Sequence, residues 1–418
     1  MRARAILSDA ASDALPQRHT TQTINWIPAA VVFTIALATA YLLQRATPPY
    51  MWGAFSLAAA CVGAERMTRP IRIRALWVNL AVLCFTFGVA EAYFWVNEPL
   101  VRQMQYSEGF FLSDETLGYR PAAGRILSHR ANVRDELLFQ VQYTINQDGL
   151  REAMPADAAQ PAGDACLVFF GDSFTFGEGM PDQHTMPAQV WRKLQGTTRV
   201  VNFGFLGYGP HQMLASLQDG RLESQGRCRP SHVIYQAIPT HVSRAAGLES
   251  WDTHGPRYVL DDTAHVRRAG RFDEARGQML LDRYRKWHQQ FPRQIKAALE
   301  QSALDRLLLR SHRAVGQQDV ALFIGIIEEA KTFVERTYPG AQFHIVFWDF
   351  EEDLPVVDQV QQQLRNHNVA VHPVSTILPN FPADERRYEI SPYDRHPNAM
   401  AHEMIADFIA HRLVERSR

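Results

Sequence analysis

Hydrophobic positions are concentrated in the first hundred residues, where three long stretches almost free of charge are separated by short arginine-bearing loops. Ile27 to Leu43 and Met51 to Ala64 carry no charge, and Ala75 to Val96 carries only Glu91. Each approaches the roughly 20 apolar residues that cross hydrocarbon, the second being the shortest, so the pattern predicts three transmembrane helices within residues 26–97. Ala38-Thr39-Ala40 imitates a signal-peptide cleavage site. The apolar run continues through Tyr41, Leu42 and Leu43, where a mature N-terminus would turn polar, so a cleaved leader is rejected. Arg2, Arg4 and Arg18 precede the first stretch and Arg66, Arg69, Arg72 and Arg74 fill the second loop, whereas the first loop has Arg45 alone. Arginine-rich segments face the cytoplasm. That places residues 1–25 inside and everything after about residue 97 on the periplasmic or extracellular side of a multi-pass inner-membrane protein. Glu91 reads as an interfacial side chain near the outer end of the third span.

From about residue 165 the pattern changes to short β-branched or aromatic runs alternating with longer helical ones, which predicts an α/β class with a parallel sheet covered on both faces. Candidate strands are Ala165 to Phe170, Arg199 to Asn202, His232 to Ile238, Gln342 to Phe350 and Val369 to Pro373. Helices are expected at Thr185 to Leu194, Pro210 to Leu222, Gln318 to Thr337, Pro355 to Asn366 and Asn398 to Val414, where apolar residues recur three or four apart. Two regions break the alternation. Residues 98–164 form a juxtamembrane segment with a small β unit around Val141 to Glu152, and residues 240–316, with a helical stretch at Asp273 to Ala298, form an inserted cap. An insertion at the C-terminal edge of a parallel sheet lies where such folds bind ligands.

Charge and cysteine content narrow the function. Forty-three basic against 44 acidic side chains leave a net charge of −1, so no global field attracts nucleic acid. Four cysteines are too few for a disulfide framework, and no C-x-x-C or H-E-x-x-H spacing marks a metal site; the chemistry is expected to need neither metal nor cofactor. Cys61 and Cys84 fall in the spans and read as small apolar residues. Cys166 and Cys228 flank the starts of the first and third strands, neighbours in a flavodoxin-like order 2-1-3-4-5, a placement open to a disulfide outside the cytoplasm.

Candidate chemistry begins where the first strand ends in Gly171-Asp172-Ser173 and delivers a serine onto a turn. A serine hydroxyl needs a base within hydrogen-bond reach and donors for the oxyanion it creates. Before the terminal helix stands Tyr393-Asp394-Arg395-His396-Pro397-Asn398, in which a carboxylate two residues from a histidine can orient the ring; Asn398 is placed to cap the helix. With Asn202-Phe203-Gly204-Phe205-Leu206-Gly207 after the second strand, these blocks resemble, in order and over roughly 165–416, the SGNH (GDSL) hydrolase superfamily. The resemblance implies a three-layer α/β/α domain, with Ser173 as nucleophile, His396 as base, Asp394 as its partner, and the N–H groups of Ser173 and Gly207 in an oxyanion hole. Where the family's third strand ends in Gly-x-Asn-Asp, this chain reads Ile238-Pro239-Thr240-His241. Thr240 or His241 would then supply the missing donor, with a loop-structural role as the alternative for each. The implied activity is ester hydrolysis, by an esterase or deacetylase acting on an acylated envelope glycan or lipid. The alternatives are O-acyl transfer to an envelope polysaccharide and a non-catalytic membrane-anchored binding or scaffold protein, the latter favoured by the missing asparagine. Membrane lipid contacts the N-terminal helices; nucleic acid is not a partner, and no protein partner is indicated.

Other conspicuous residues take plainer readings. Glu178, in Gly177-Glu178-Gly179, reads as a loop residue because His396 already supplies a base. His211, His254 and His402 lack metal-ligand spacing, and Phe347, Trp348 and Phe350 fall on a core strand.

Overall fold

The computed structural model of the chain describes residues 49–96, 103–133, 136–155, 158, 164–274, 287, 290–299, 302–310, 314–350, 354–381 and 383–415. The chain divides into two compact units, one of residues 1–97 and 293–306 and one of residues 98–292 and 307–418.

In the first unit, helices α1 (Pro49–Met67) and α2 (Ile71–Val96) are joined by a three-residue turn. Ala54, Ala58, Cys61 and Ala64 are buried along α1, and a Cβ on Gly88 of α2 would meet the Phe55 ring at 2.7 Å. Small residues of this kind let helix backbones approach closely. Of the described helices, α2 alone is long and apolar enough to cross a membrane; α1 is interrupted by Pro49, Tyr50, Ser56, Glu65 and Arg66. The first expected span, Ile27 to Leu43, lies outside the described residues.

Glu91 is not an interfacial side chain. It is fully buried, and its carboxylate accepts hydrogen bonds from the Ser302 hydroxyl and from Ala303 N at 2.8 Å. The reason is local: the first N–H groups of the helix beginning at Ala303 have no partner within that helix, and a carboxylate satisfies them.

The second unit opens with five antiparallel strands. β1 (Gln103–Tyr106), β4 (Arg125–Val133) and β5 (Glu136–Ile145) form one sheet in the order β1-β4-β5, and β2 (Leu112–Asp114) pairs with β3 (Gly118–Arg120). The expected β unit is thus larger than its sequence signal. Polar and apolar residues alternate along β4 and β5, burying Leu127, Ala131, Phe139, Val141 and Tyr143 on one face. The backbone of Arg151 bridges both Ile145 and Asn202, which fastens this unit to the edge of the main sheet.

The main sheet has five parallel strands: β6 (Ala165–Phe170), β7 (Arg199–Asn202), β8 (Arg229–Ala237), β11 (Gln342–Phe347) and β12 (Ala370–Pro373), in the order β12-β11-β8-β6-β7. This is the order expected from the sequence, read from the opposite edge. Because both faces are covered, the strands read as continuous apolar runs. Cys166, Val168 and Phe170 face one core with Phe323, Ile326 and Ile327; Leu167 and Phe169 face another with Val190, Ile405 and Ala406. Burying each such large side chain contributes roughly 1.5–3 kcal/mol. Cys166 and Cys228 are disulfide-bonded, their Cα atoms 5.9 Å apart.

Between β8 and β11 the expected inserted segment contains a hairpin, β9 (Pro256–Leu260) with β10 (Val266–Arg271), which its sequence does not announce. Much of the helical stretch expected at Asp273 to Ala298 lies outside the described residues; at its end, Arg293–Leu299 is helical and runs one residue beyond it. At the chain's end, β13 (Glu389–Ser391) and β14 (Asp394–Pro397) pair antiparallel and lead into helix Ala399–Phe408. Asn398 caps that helix, accepting from Ala401 N at 3.1 Å.

Candidate active site

At the end of β6, Gly171 adopts φ 151°, and a Cβ there would lie 2.2 Å from Thr175 Oγ1 and 2.9 Å from the Gln236 carbonyl. Only glycine fits this turn. Asp172 then caps the one-turn helix Ser173–Phe176, accepting from Phe174 N at 3.0 Å, and so fixes the backbone that carries Ser173. Its second oxygen accepts from Arg244 Nη1 at 2.8 Å. Burial works against this carboxylate, but Arg244 and His241 outweigh it and hold its pKa well below the ordinary range.

Asp394 and His396 lie on β14, two residues apart, and a strand sends alternate side chains to the same face. The spacing of two therefore brings carboxylate to ring without a bend. Asp394 Oδ1 lies 2.6 Å from His396 Nδ1 and also accepts from His396 N at 3.1 Å. On the opposite side of the ring, His396 Nε2 lies 2.8 Å from Ser173 Oγ. A hydroxyl, an imidazole and a carboxylate so aligned can pass a proton from oxygen to nitrogen while the carboxylate stabilises the resulting cation.

A fourth group joins them. Glu178 Oε2 lies 3.1 Å from the same His396 Nε2, and Glu178 is only 3% exposed, so its reading as a plain loop residue is corrected. Burial disfavours the His396 imidazolium, but the Glu178 and Asp394 carboxylates outweigh it and raise its pKa to about 9.

The loop carrying Glu178 is held on every side. Gly177 and Gly179 have φ of 80° and 79°, and a Cβ on either would strike Thr185 Cγ2 at 2.5 Å or Ile390 Cδ1 at 2.4 Å. The buried guanidinium of Arg151 donates to the carbonyls of Phe176 (3.0 Å) and Met180 (2.8 Å) and pairs with Asp182 at 2.8 Å. Its positive charge also lies over the rings of Tyr143 and Phe176, at 4.3 and 4.6 Å. Gly179 N donates to Tyr143 Oη at 2.9 Å.

Ser173, Glu178 and His396 open into a pocket of about 660 Å³. Its walls are mostly apolar: Phe174, Leu206, Ile238 and Trp251 from the α/β part, and Met104, Tyr106, Phe111, Leu112 and Tyr119 from the antiparallel unit. Gly207 lines it as well, with φ 75° in a turn packed against Tyr119 and Trp251.

Thr240 and His241 do not line this pocket. Thr240 is exposed, and its carbonyl accepts from Ser243 Oγ at 2.8 Å and Arg244 N at 3.1 Å in the first turn of helix His241–Ala245. His241 is drawn into the core, where Nδ1 lies 2.6 Å from Tyr235 Oη and Nε2 lies 3.2 Å from Asp172 Oδ2. Burial lowers its pKa to about 4, so it is neutral. The nearby cation that does line the pocket is Arg244.

His211, His254 and His402 have structural partners. His211 Nε2 lies 2.7 Å from Asp252 Oδ2, and buried His402 accepts from Met186 N at 3.1 Å. His254 lies 3.1 Å from Asp273 and reaches the pocket rim. Phe347, Trp348 and Phe350 are buried, as expected. Sequence reasoning missed Glu178 and the pocket wall from residues 104–119. The signal for the first was a lone carboxylate between two glycines five residues beyond the serine; for the second, aromatic residues clustered in an otherwise polar segment.

No protein-family model and no curated protein matches the sequence. Several solved structures are similar. One is assigned to the lipolytic G-D-S-L family, from Desulfitobacterium hafniense DCB-2, with 12% identity over 60% of this chain and 99% of that one and a TM-score of 0.32. An acetyl xylan esterase of the rumen bacterium Butyrivibrio proteoclasticus matches at 12% identity over 61% of this chain and 65% of that one, TM-score 0.32. A carbohydrate esterase family 2 enzyme with a carbohydrate-binding domain, from Myceliophthora fergusii, matches at 13% identity over 74% and 84%, TM-score 0.31. At such low identity and superposition, function has to be argued from the site itself.

Proposed function

We propose that the chain is a membrane-anchored serine ester hydrolase of the SGNH type, acting outside the cytoplasm on an acylated glycan or lipid of the cell envelope. The observation that carries this reading is the continuous line from Ser173 Oγ through His396 to Asp394, with contacts of 2.8 and 2.6 Å, at the floor of an open pocket. Ser173 attacks the ester carbonyl as His396 Nε2 accepts its proton, and the proton passes to the departing alcohol. Water or a substrate hydroxyl then removes the acyl group. The backbone N–H groups of Ser173 and Gly207 are the candidate oxyanion donors.

The apolar walls support a substrate with an apolar body, since the pocket far exceeds what an acetyl group fills. A binding module has no use for so assembled a proton path, which counts against the non-catalytic alternative. The anchor rests on Ile71–Val96, and the outward orientation on the arginine distribution.

One assay addresses chemistry and anchoring together. Membranes from cells expressing the full chain, washed in alkaline carbonate, should retain aryl-ester hydrolysis that is absent with Ser173→Ala at equal protein level. Equal turnover in both proteins would sink the enzymatic reading; release of the chain by carbonate would sink the anchor.

A further inference from the structure

We propose that Glu178 is a positioning residue that competes with Ser173 for His396 Nε2 and thereby sets the pH at which the base becomes available. This rests on the role just assigned to Ser173 and His396, and deepens it by adding a regulator of the same ring nitrogen.

The argument starts from geometry. Two oxygens face one nitrogen: Ser173 Oγ at 2.8 Å and Glu178 Oε2 at 3.1 Å. With Asp394 on Nδ1 the ring lies between two buried carboxylates, an arrangement that favours the imidazolium. Held as the cation, His396 has no lone pair for the serine proton. The raised pKa of about 9 agrees with that arrangement. A buried carboxylate is costly unless paired, and the fold nevertheless fixes this one with two left-handed glycines and a buried arginine behind the loop.

The other titratable groups around the pair do not replace it. Tyr143, which accepts from Gly179 N, is held protonated by burial, and Arg151 is committed to loop carbonyls and Asp182. His402, on the terminal helix, is pushed down to about 3 by burial first and then by the neighbouring Arg151 and His396. Asp172 and Arg244, on the far side of the serine, neutralise each other. His254, at the rim, pairs with Asp273.

In the reaction Glu178 neither gains nor loses a proton. Above the ring's pKa, neutral Nε2 takes the Ser173 proton as the Oγ–carbon bond forms, and returns it to the leaving alkoxide. Glu178 stabilises the cation formed in between, at the expense of leaving little neutral base below about pH 9.

The test is the rate at which a fluorophosphonate probe modifies Ser173 in the full chain in detergent, followed from pH 5.5 to 10.5. The wild-type rate should rise with a midpoint near pH 9. Glu178→Gln should move that midpoint down by about one unit or more and label a few-fold faster at pH 7, because the fraction of neutral imidazole rises more than its basicity falls. Glu178→Asp, which keeps the charge but withdraws it, should lie between the two and decides the matter if the glutamine variant does not fold. An unmoved midpoint, or a rate reduced by one common factor at every pH, overturns the proposal, since a merely structural residue would behave that way. Failure of the wild type to label at any pH overturns the assignment of Ser173 as well, which separates the two claims.

Discussion

His396 is surrounded unequally: an alcohol and a carboxylate share one ring nitrogen, and a second carboxylate holds the other. The two acids have different duties because they touch different atoms. Asp394, fully buried at Nδ1, fixes the neutral tautomer whose Nε2 lone pair faces the serine. Asp394→Asn should therefore lower kcat by about 10²- to 10⁴-fold with little change in KM, measured with an aryl ester at pH 9.5. A loss below tenfold would mean that the carboxylate does not orient the ring. The sign for stability follows from the same cation. Because the folded-state pKa of His396 is raised, to about 9, its contribution is complete below the unfolded value of about 6.5 and is lost as pH rises through 9. The serine, histidine and aspartate were legible through three blocks that in their order resemble a known family; singly, Gly171-Asp172-Ser173 reads as a plain turn and Asp394-Arg395-His396 as a loop, and the strand that carries the last two was not foreseen. Glu178 was not. Its direction depends on Gly177, Gly179 and an arginine 27 positions upstream, none of which a local pattern connects.

The elements that carry the site differ in how openly their sequences declare them. β6, β7, β8, β11 and β12 lie in a sheet covered on both faces, so their apolar runs state the class, while the strand order was expected from the flavodoxin-like arrangement and not from the runs themselves. Helix ends at Thr185 and Asn398 are equally plain, since each caps its helix by a side-chain oxygen. The hairpin of β9 and β10 is less so: its exposed positions hold arginine rather than an apolar alternation. Residues 240 and 241 show the limit of aligning by place alone. The polar atoms fall where the family's asparagine would, but helix His241–Ala245 exposes Thr240 and leads His241 to Tyr235 and Asp172. The loop at 176–182 depends on Arg151, whose removal would leave the Phe176 and Met180 carbonyls without their donor. Arg151→Met should lower stability by about 1–3 kcal/mol in denaturant unfolding, because it leaves the buried Phe176 carbonyl without its donor while Asp182, partly exposed, can be rehydrated. A change under about 1 kcal/mol would show that the loop holds its shape without the clamp.

For the whole molecule, the antiparallel unit at residues 103–145 contributes more than a connection after the predicted spans: it builds a wall of the pocket with Tyr106, Phe111, Leu112 and Tyr119. Its strands reach Asn202 through Arg151, so the residue that clamps the Glu178 loop also joins this unit to the main sheet. The groups of the proposed ester chemistry and the shape of the pocket are thus drawn from distant parts of the chain. The most direct test is to mix the full chain with an excess of a slowly turned-over aryl ester, quench in acid within the first turnover, and locate the added acyl mass by peptide mass spectrometry. The account predicts one acyl group on the peptide containing Ser173, absent in Ser173→Ala and slow to form in His396→Ala. Turnover with no acyl mass on Ser173, or with the mass on another residue, would contradict it.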